Sequence, residues 1–372
     1  MKVVVIGAGI AGLSIGWRLK QAGADVTVLE RAQPGRGATW ASAGMIATIA
    51  EIETPDSPQA LLAQRSVRLW PHFAAEIEEA SGIDVGYRVD GTLIVARSEE
   101  HARFLRHRAE GSQELEFLGP AEARALEPLL AMDVLGALFD ATEAQVDNRM
   151  LARALAVAFQ RAGGVLKTNE AVVRFETEGG RARAVRTPFA QYPADVFVLA
   201  AGAWSGLIEG LTPEVAPPII PVKGEMIALA AERDSLPHHM IWGNDIYLVP
   251  RGGRLLVGAT VSREGFDSRM TQAAAVWLYS RAVALMSALA NWQLADHWAG
   301  LRPGSPDDLP LIGRSALANL LIASGQFRNG ILFAPAIAEA IRDTALDEPP
   351  KEDLAAFNPC RFAGLALTTT DL

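Results

Sequence analysis

The chain opens with a β-branched apolar run, Val3-Val4-Val5-Ile6, that stops at Gly7, and a second run, Val26 to Leu29, ends at Glu30. Short continuous apolar runs bounded by glycine or charge predict strands buried on both faces, as in a parallel sheet. With residues 2–6 and 25–29 as strands and 10–22 as the connecting helix, the opening reads as a βαβ unit. Residues 57–80 carry apolar positions at helical spacing and stop at Ser81-Gly82, predicting a long helix. "VGYRVDGTLIVA" and "VLGALFDATEAQVD" alternate as antiparallel strands do, with a shorter helix in "GPAEARALEPLL".

Asp147 then predicts an N-cap for a helix that Gly163-Gly164 stops. "AVVRFETEGGRARAVRT" reads as a hairpin turning at Gly179-Gly180, and "ADVFVLAAGAW" as a buried strand. "GEMIALA" and "IYLVPRGGRLLVGAT" return the chain to an antiparallel sheet, turning at Gly252-Gly253, before a helix over residues 271–292. The last part reads as a strand, a loop, a buried strand and a helix beginning near Gly330. Parallel-type and antiparallel-type segments alternate along the chain, so the expected domains are interleaved.

With 372 residues, half of them hydrophobic, the chain has material for about two domains. A formal charge of −9 supplies no basic field for nucleic acid or anionic lipid, so neither nucleic-acid binding nor stable membrane association is expected. The single Cys360 allows no internal disulfide, and no Cys/His cluster has zinc spacing; no metal is expected, and a reducing, cytoplasmic setting fits. His238 and His239, adjacent at the start of a strand, point to opposite sides and read as packing or surface residues. The uncharged run 3–17 is short of the roughly 20 residues that cross a bilayer, and a cleaved signal would not require the second strand.

Gly7, Ala8, Gly9, Ile10, Ala11 and Gly12 form G-x-G-x-x-G between the first strand and its helix, with Glu30 at the end of the second strand. In this pattern Gly7 makes the tight turn, Gly9 lets backbone approach a pyrophosphate, and Gly12 lets helix and strand pack closely. The helix N-terminus presents N–H groups to phosphate, and Glu30 accepts from a ribose 2′-hydroxyl. After Glu30 comes "RAQPGRGATWASAGMIA", whose small residues let backbone lie against a large flat ligand. No second G-x-G-x-x-G follows for a nicotinamide nucleotide, so electrons are expected from an organic substrate.

The segments "VVVIGAGIAGLSIGWRLKQAGADVTVLE", "GATWASAGMIA", "QVDNRMLARAL", "VFVLAAGAWS", "IYLVPRGGRLLVGATV", "GLRPGSPDDLPLIG", "GQFRNGILFAPA" and "FNPCRF" together resemble the D-amino-acid oxidase superfamily. The resemblance is closest to its glycine oxidase branch, associated with thiamine biosynthesis. It implies an α/β fold in which a Rossmann-type FAD-binding domain (1–85, 145–215 and 300–360) is interleaved with an α+β substrate domain on an antiparallel sheet (86–144 and 216–299). It further implies noncovalent FAD held by Gly7, Gly9, Ile10, Ala11, Gly12, Glu30, Arg31, Thr39, Ser42, Ala43, Gly44 and Met45. Val173 would reach the adenine through its backbone, Gly202 would line the nucleotide, and Arg328, Asn329, Gly330, Ile331 and Leu332 would surround the flavin ring.

Tyr247, Arg302 and Arg328 are the implied catalytic residues, with Tyr247 and Arg302 on the substrate carboxylate. A guanidinium fork suits a carboxylate bidentately, although arginines are mostly surface residues and a strand tyrosine is often core. A helix starting near Gly330 would aim its positive end at a reduced flavin ring. The implied reaction is oxidative deamination of glycine, another small amino acid or an N-substituted glycine, with dioxygen as acceptor and hydrogen peroxide as product. The alternatives are a D-amino-acid dehydrogenase that reduces a quinone, or an oxidase domain acting in tRNA modification. A homo-oligomer is compatible with the sequence. Two departures from the family pattern stand out: Asn148 replaces a frequent proline, which should affect the start of its helix more than chemistry, and Cys360 lies away from where related enzymes attach flavin.

Overall fold

The computed structural model describes residues 1–52, 54, 56–231 and 235–363. Its six-stranded sheet has the spatial order Leu311–Arg314, Leu320–Ser324, Val196–Leu199, Lys2–Ile6 (β1), Asp25–Glu30 (β2) and Val165–Thr168. β1 pairs in parallel with β2 and with Val196–Leu199, and only Leu311–Arg314 runs antiparallel to its neighbour. Both faces are covered, which is why these strands lack alternation. Val3, Val5, Val26 and Val28 pack into the core beneath the helices Ile10–Gln21 (α1), Pro58–Ser81, Asn148–Arg161 and Ala334–Ala345, while Val4, Ile6 and Leu29 join Phe175 and Phe197 on the other side. Each such side chain contributes about 1.5–3 kcal/mol by leaving water. α1 lies so close to β1 that a Cβ on Gly12 would overlap the Gly7 carbonyl.

A second, eight-stranded sheet runs Leu294–Gly304, Ile220–Ala230, Arg254–Gly258, Tyr247–Arg251, Met240–Trp242, Thr92–Ala96, Gly136–Asp140 and Leu115–Leu118. It is antiparallel except where Met240–Trp242 meets Thr92–Ala96. The two longest strands pair from Ile220↔Gly304 to Leu229↔Leu294, a register that sets Val222 opposite Arg302 and Gly224 opposite Gly300. This is the α/β fold expected from the sequence, with a parallel sheet and a largely antiparallel one drawing on alternating chain segments.

The expected cap is present, Asp147 accepting from the amides of Arg149 and Met150, and Ser57 caps the long helix by accepting from Ala60. The hairpin at Gly179-Gly180 forms between Arg174–Glu178 and Arg181–Arg186. His239 packs, its Nδ1 lying 2.6 Å from the buried Glu127 carboxylate. Two helix boundaries differ from expectation. The helix predicted over 271–292 ends at Leu285, because the chain turns extended at Met286 to bury Met286 and Leu289 and continues as a 3₁₀ turn, Ser287–Asn291. The last helix starts at Ala334 rather than near Gly330. One α-turn closes from the Phe333 amide to the Asn329 carbonyl, but Pro335 has no N–H to extend it, so residues 330–333 remain a separate turn. Among the described residues no helix is long and apolar enough to cross a membrane.

Candidate active site

A cavity of about 1010 Å³ lies between the two sheets, at the upper end of the usual size for small-molecule sites. It starts at the carboxyl ends of β1, β2 and Val196–Leu199, where a doubly wound sheet places its crevice, and ends at Tyr247 and Arg302 on the eight-stranded sheet. Residues far apart in sequence therefore share one wall. Of the residues implied above to hold FAD or substrate, all line this cavity except Gly12, which packs α1 onto β1, and Leu332, whose side chain is in the core.

At the sheet end, Glu30 is fixed before any ligand arrives: Oε2 accepts from the Ala8 amide at 2.8 Å and Oε1 from the Ala32 amide at 2.9 Å. The Ile10 amide donates to Thr39 Oγ1 at 2.9 Å, so the first intrahelical bond, from Leu13 to the Gly9 carbonyl, leaves the amides of Ala11 and Gly12 as the helix-end donors. Arg31 stacks over Trp204, its guanidinium carbon 3.5 Å from the ring centroid, and burial lowers its pKa. Val173 lines the cavity with its backbone already engaged. Its amide donates to the Arg186 carbonyl and its carbonyl accepts from Glu209, so only a second lone pair on that oxygen is left for an adenine.

The loop after β2 is stitched from behind by residues that carried no strong local signal. Asn148 Nδ2 donates to the Thr39 and Trp40 carbonyls at 2.7 and 3.0 Å, and its Oδ1 accepts from Arg251 at 2.8 Å. Arg251 also donates to the Ala43 carbonyl and to Gln145 Oε1. Burial pulls the Arg251 pKa down to about 10, which still leaves a cation near neutrality. Asn148 thus ties the loop against the cavity, a role beyond starting its helix.

At the far end, the Arg302 guanidinium lies across Gly224, where a Cβ would fall within 2.5 Å of three of its atoms. Nη1 donates to the Thr260 carbonyl at 3.2 Å and the Lys223 carbonyl at 3.4 Å. Tyr247 lies across Gly258 in the same manner, a Cβ there coming to 2.5 Å from its ring and hydroxyl. Burial raises the Tyr247 pKa, against the pull of the Arg302 charge, and keeps the phenol a hydrogen-bond donor; burial lowers that of Arg302, against Tyr247. Arg328 joins them, paired at 3.7 Å with Glu51. Sequence reasoning missed Glu51, Gly224 and Gly258, whose partners are distant in the chain.

Glu51 sits in a turn closed by the Ile52 amide to the Thr48 carbonyl, and the buried Glu143 carboxylate holds that turn through the amides of Thr48 and Ile49. Burial raises the Glu143 pKa to about 7 against those hydrogen bonds.

FAD fits this cavity. Gln326 Nε2 and Trp242 Nε1 are buried on its walls with no hydrogen-bond partner among the described residues, and a bound ligand rich in acceptors would satisfy them. Gly9, free of any contact closer than 3.4 Å at its Cβ position, leaves its side open to the ligand rather than to packing. Glu30 would take the ribose, the helix-end amides the pyrophosphate, and the turn at 328–331 the flavin ring.

A family model described as FAD dependent oxidoreductase matches residues 2–344. The chain is 36% identical over 376 residues to the bifunctional protein ThiO/ThiG of Synechocystis sp., covering 99% of this chain and 54% of that protein. It therefore spans about half the length of the first curated relatives it matches. It is 33% identical to a glycine oxidase of Pseudomonas aeruginosa, covering 96% of this chain and 98% of that one. The crystal structure of glycine oxidase from Geobacillus kaustophilus superposes with a TM-score of 0.90 at 30% identity, covering 98% of this chain and 99% of that one.

Two outcomes follow from this geometry. Gly224→Ala should displace the Arg302 guanidinium and weaken binding of a small carboxylate such as acetate, read by its protection against thermal unfolding, by roughly a hundredfold; unchanged protection would mean that the strand yields instead. For Glu143, the folded pKa of about 7 lies above the ordinary 4.5, so the folded state binds the extra proton. Its contribution is complete below that ordinary value and is lost by about 1.4 kcal/mol per pH unit as pH rises through the window to about 7. Glu143→Gln keeps the acceptor oxygen and removes the titration. Denaturant unfolding from about pH 5 to pH 8 should show the parent falling relative to the variant, and a constant difference would contradict the assignment.

Proposed function

The chain belongs to the FAD dependent oxidoreductase family, and on that premise we propose that it oxidises glycine, another small amino acid or an N-substituted glycine to the imino acid. Dioxygen is the acceptor and hydrogen peroxide the product. The observation that carries this reading is the convergence of the half-buried Arg302 and Tyr247 at the end of the cavity remote from Glu30. A half-buried cation that faces the cavity beside a second arginine calls for an anion, and a substrate carboxylate satisfies the guanidinium fork bidentately.

Arg302 and the protonated Tyr247 hydroxyl bind and orient the carboxylate, which fixes the substrate's Cα and amine relative to the turn at 328–331. Bound FAD supplies the two-electron acceptor. As the Cα–H bond breaks and the C=N bond forms, two electrons leave the substrate and nitrogen gives up a proton; dioxygen takes up two electrons and two protons. Fixed orientation supplies much of the acceleration, and no side-chain base is required for it. The apolar walls around Tyr247, with Trp242 at 5.0 Å between ring centroids and Met226 beside the hydroxyl, exclude water from the reacting end.

Cys360 is outside the cavity and hydrogen-bonded near Arg314, in keeping with noncovalent FAD. Supply of the imino acid to thiamine thiazole synthesis follows from the resemblance to the thiamine-associated branch. The reading places the enzyme in the cytoplasm without a nucleic-acid partner.

Removing one member of a buried charge-assisted pair costs about 3–5 kcal/mol. Arg302→Ala should therefore lower kcat/KM for glycine or sarcosine by roughly two to four powers of ten with FAD still bound, and lysine should restore only part. Turnover of glycine, sarcosine and D-alanine at the parent's rate would move the carboxylate away from Arg302.

A further inference from the structure

Two guanidinium groups, Arg302 and Arg328, converge on one end of the cavity, which is more positive charge than a substrate with a single carboxylate requires. Glu51 stands between this surplus and the substrate. Its carboxylate lies 3.7 Å from Arg328 Nη1 and is about nine-tenths buried; burial raises its pKa, against the charges of Arg328 and Arg302, which favour the ionised form. The placement is built rather than incidental, because the turn carrying Glu51 is closed by its own backbone and anchored by the buried Glu143 through the amides of Thr48 and Ile49, three and two residues before it.

We propose that Glu51 is a specificity-determining residue, a charge filter that occupies Arg328 and restricts the site to substrates with one carboxylate. A monocarboxylate amino acid takes Arg302 and leaves the Glu51–Arg328 pair intact. A second anionic group on the substrate's amine or Cα would have to displace Glu51 from Arg328 or stand beside it as a like charge, in a recess where such charges are poorly screened. Without the Glu51 charge, Arg328 becomes a receptor for that second anion. This inference rests on the amino-acid reading for its catalytic arm only.

The test uses the FAD-loaded full chain at about pH 8, well above the ordinary carboxyl range, with Glu51→Gln, Glu51→Asp and Glu51→Ala beside the parent. The first readout is equilibrium binding of acetate and malonate, followed by the change each causes in flavin absorption. The second is kcat/KM for glycine, N-ethylglycine and iminodiacetate.

Glu51→Gln and Glu51→Ala should improve malonate relative to acetate, and iminodiacetate relative to glycine, by at least about tenfold, equivalent to about 1.4 kcal/mol. Glu51→Asp should stay near the parent, and the N-ethylglycine to glycine ratio should not move. Ratios in both charge-removing variants within about twofold of the parent would overturn the filter. So would an equal gain for N-ethylglycine, which would mean added space rather than removed charge. If the parent oxidises none of the three amines, the functional reading fails, while the acetate and malonate titrations still decide the filter.

Discussion

The charge of Arg302, half-buried and facing the cavity, is the constraint around which the site is organised. A guanidinium cannot give up its proton at ordinary pH, so its removal from water has to be compensated by carbonyls, a phenol, a nearby carboxylate and finally a ligand. The long antiparallel pair Ile220–Ala230 and Leu294–Gly304 brings Arg302 across Gly224, where the absence of a side chain gives the guanidinium a seat. Lys223, whose carbonyl receives Arg302, is itself buried and paired with Glu225 and Glu264 at 3.3 and 3.1 Å. The cation is held from below by backbone and faces the cavity from above.

The other end of the cavity solves a different problem, the binding of a long, acceptor-rich nucleotide. Here the groups are mostly main chain: the turn after β1, the N-terminus of α1 and the loop stitched by Asn148 and Arg251. Main-chain donors fixed by a sheet lose little freedom when a ligand arrives, so affinity is not spent on ordering them. The two ends belong to different sheets, and in the proposed function the nucleotide and the substrate would meet where those sheets face one another.

Some of this was readable from local sequence and some could not be. β1, Gly7, Gly12 and Glu30 announce themselves because strand, turn and helix are contiguous, and Arg302 was found through its resemblance to a family motif. Gly224 and Gly258 looked like ordinary strand glycines, since the side chains they accommodate arrive from 78 residues later and 11 residues earlier. Glu51 lies in a stretch with no periodicity, and its meaning depends on Arg328, almost three hundred residues on. The helix boundaries misread at 286 and 334 failed for tertiary and local reasons respectively: burial of Met286 overrode helical spacing, and Pro335 removed one donor.

In the proposed function the substrate carboxylate, rather than the amine, is the handle by which the reacting carbon is placed. Anaerobic mixing with glycine or with methylamine tests this directly, because the two donors differ by that carboxylate. Glycine should bleach the visible flavin absorption, and admission of air should restore it, while methylamine at the same concentration should leave the spectrum unchanged. Equal bleaching by both, or none by glycine and sarcosine, would contradict the account.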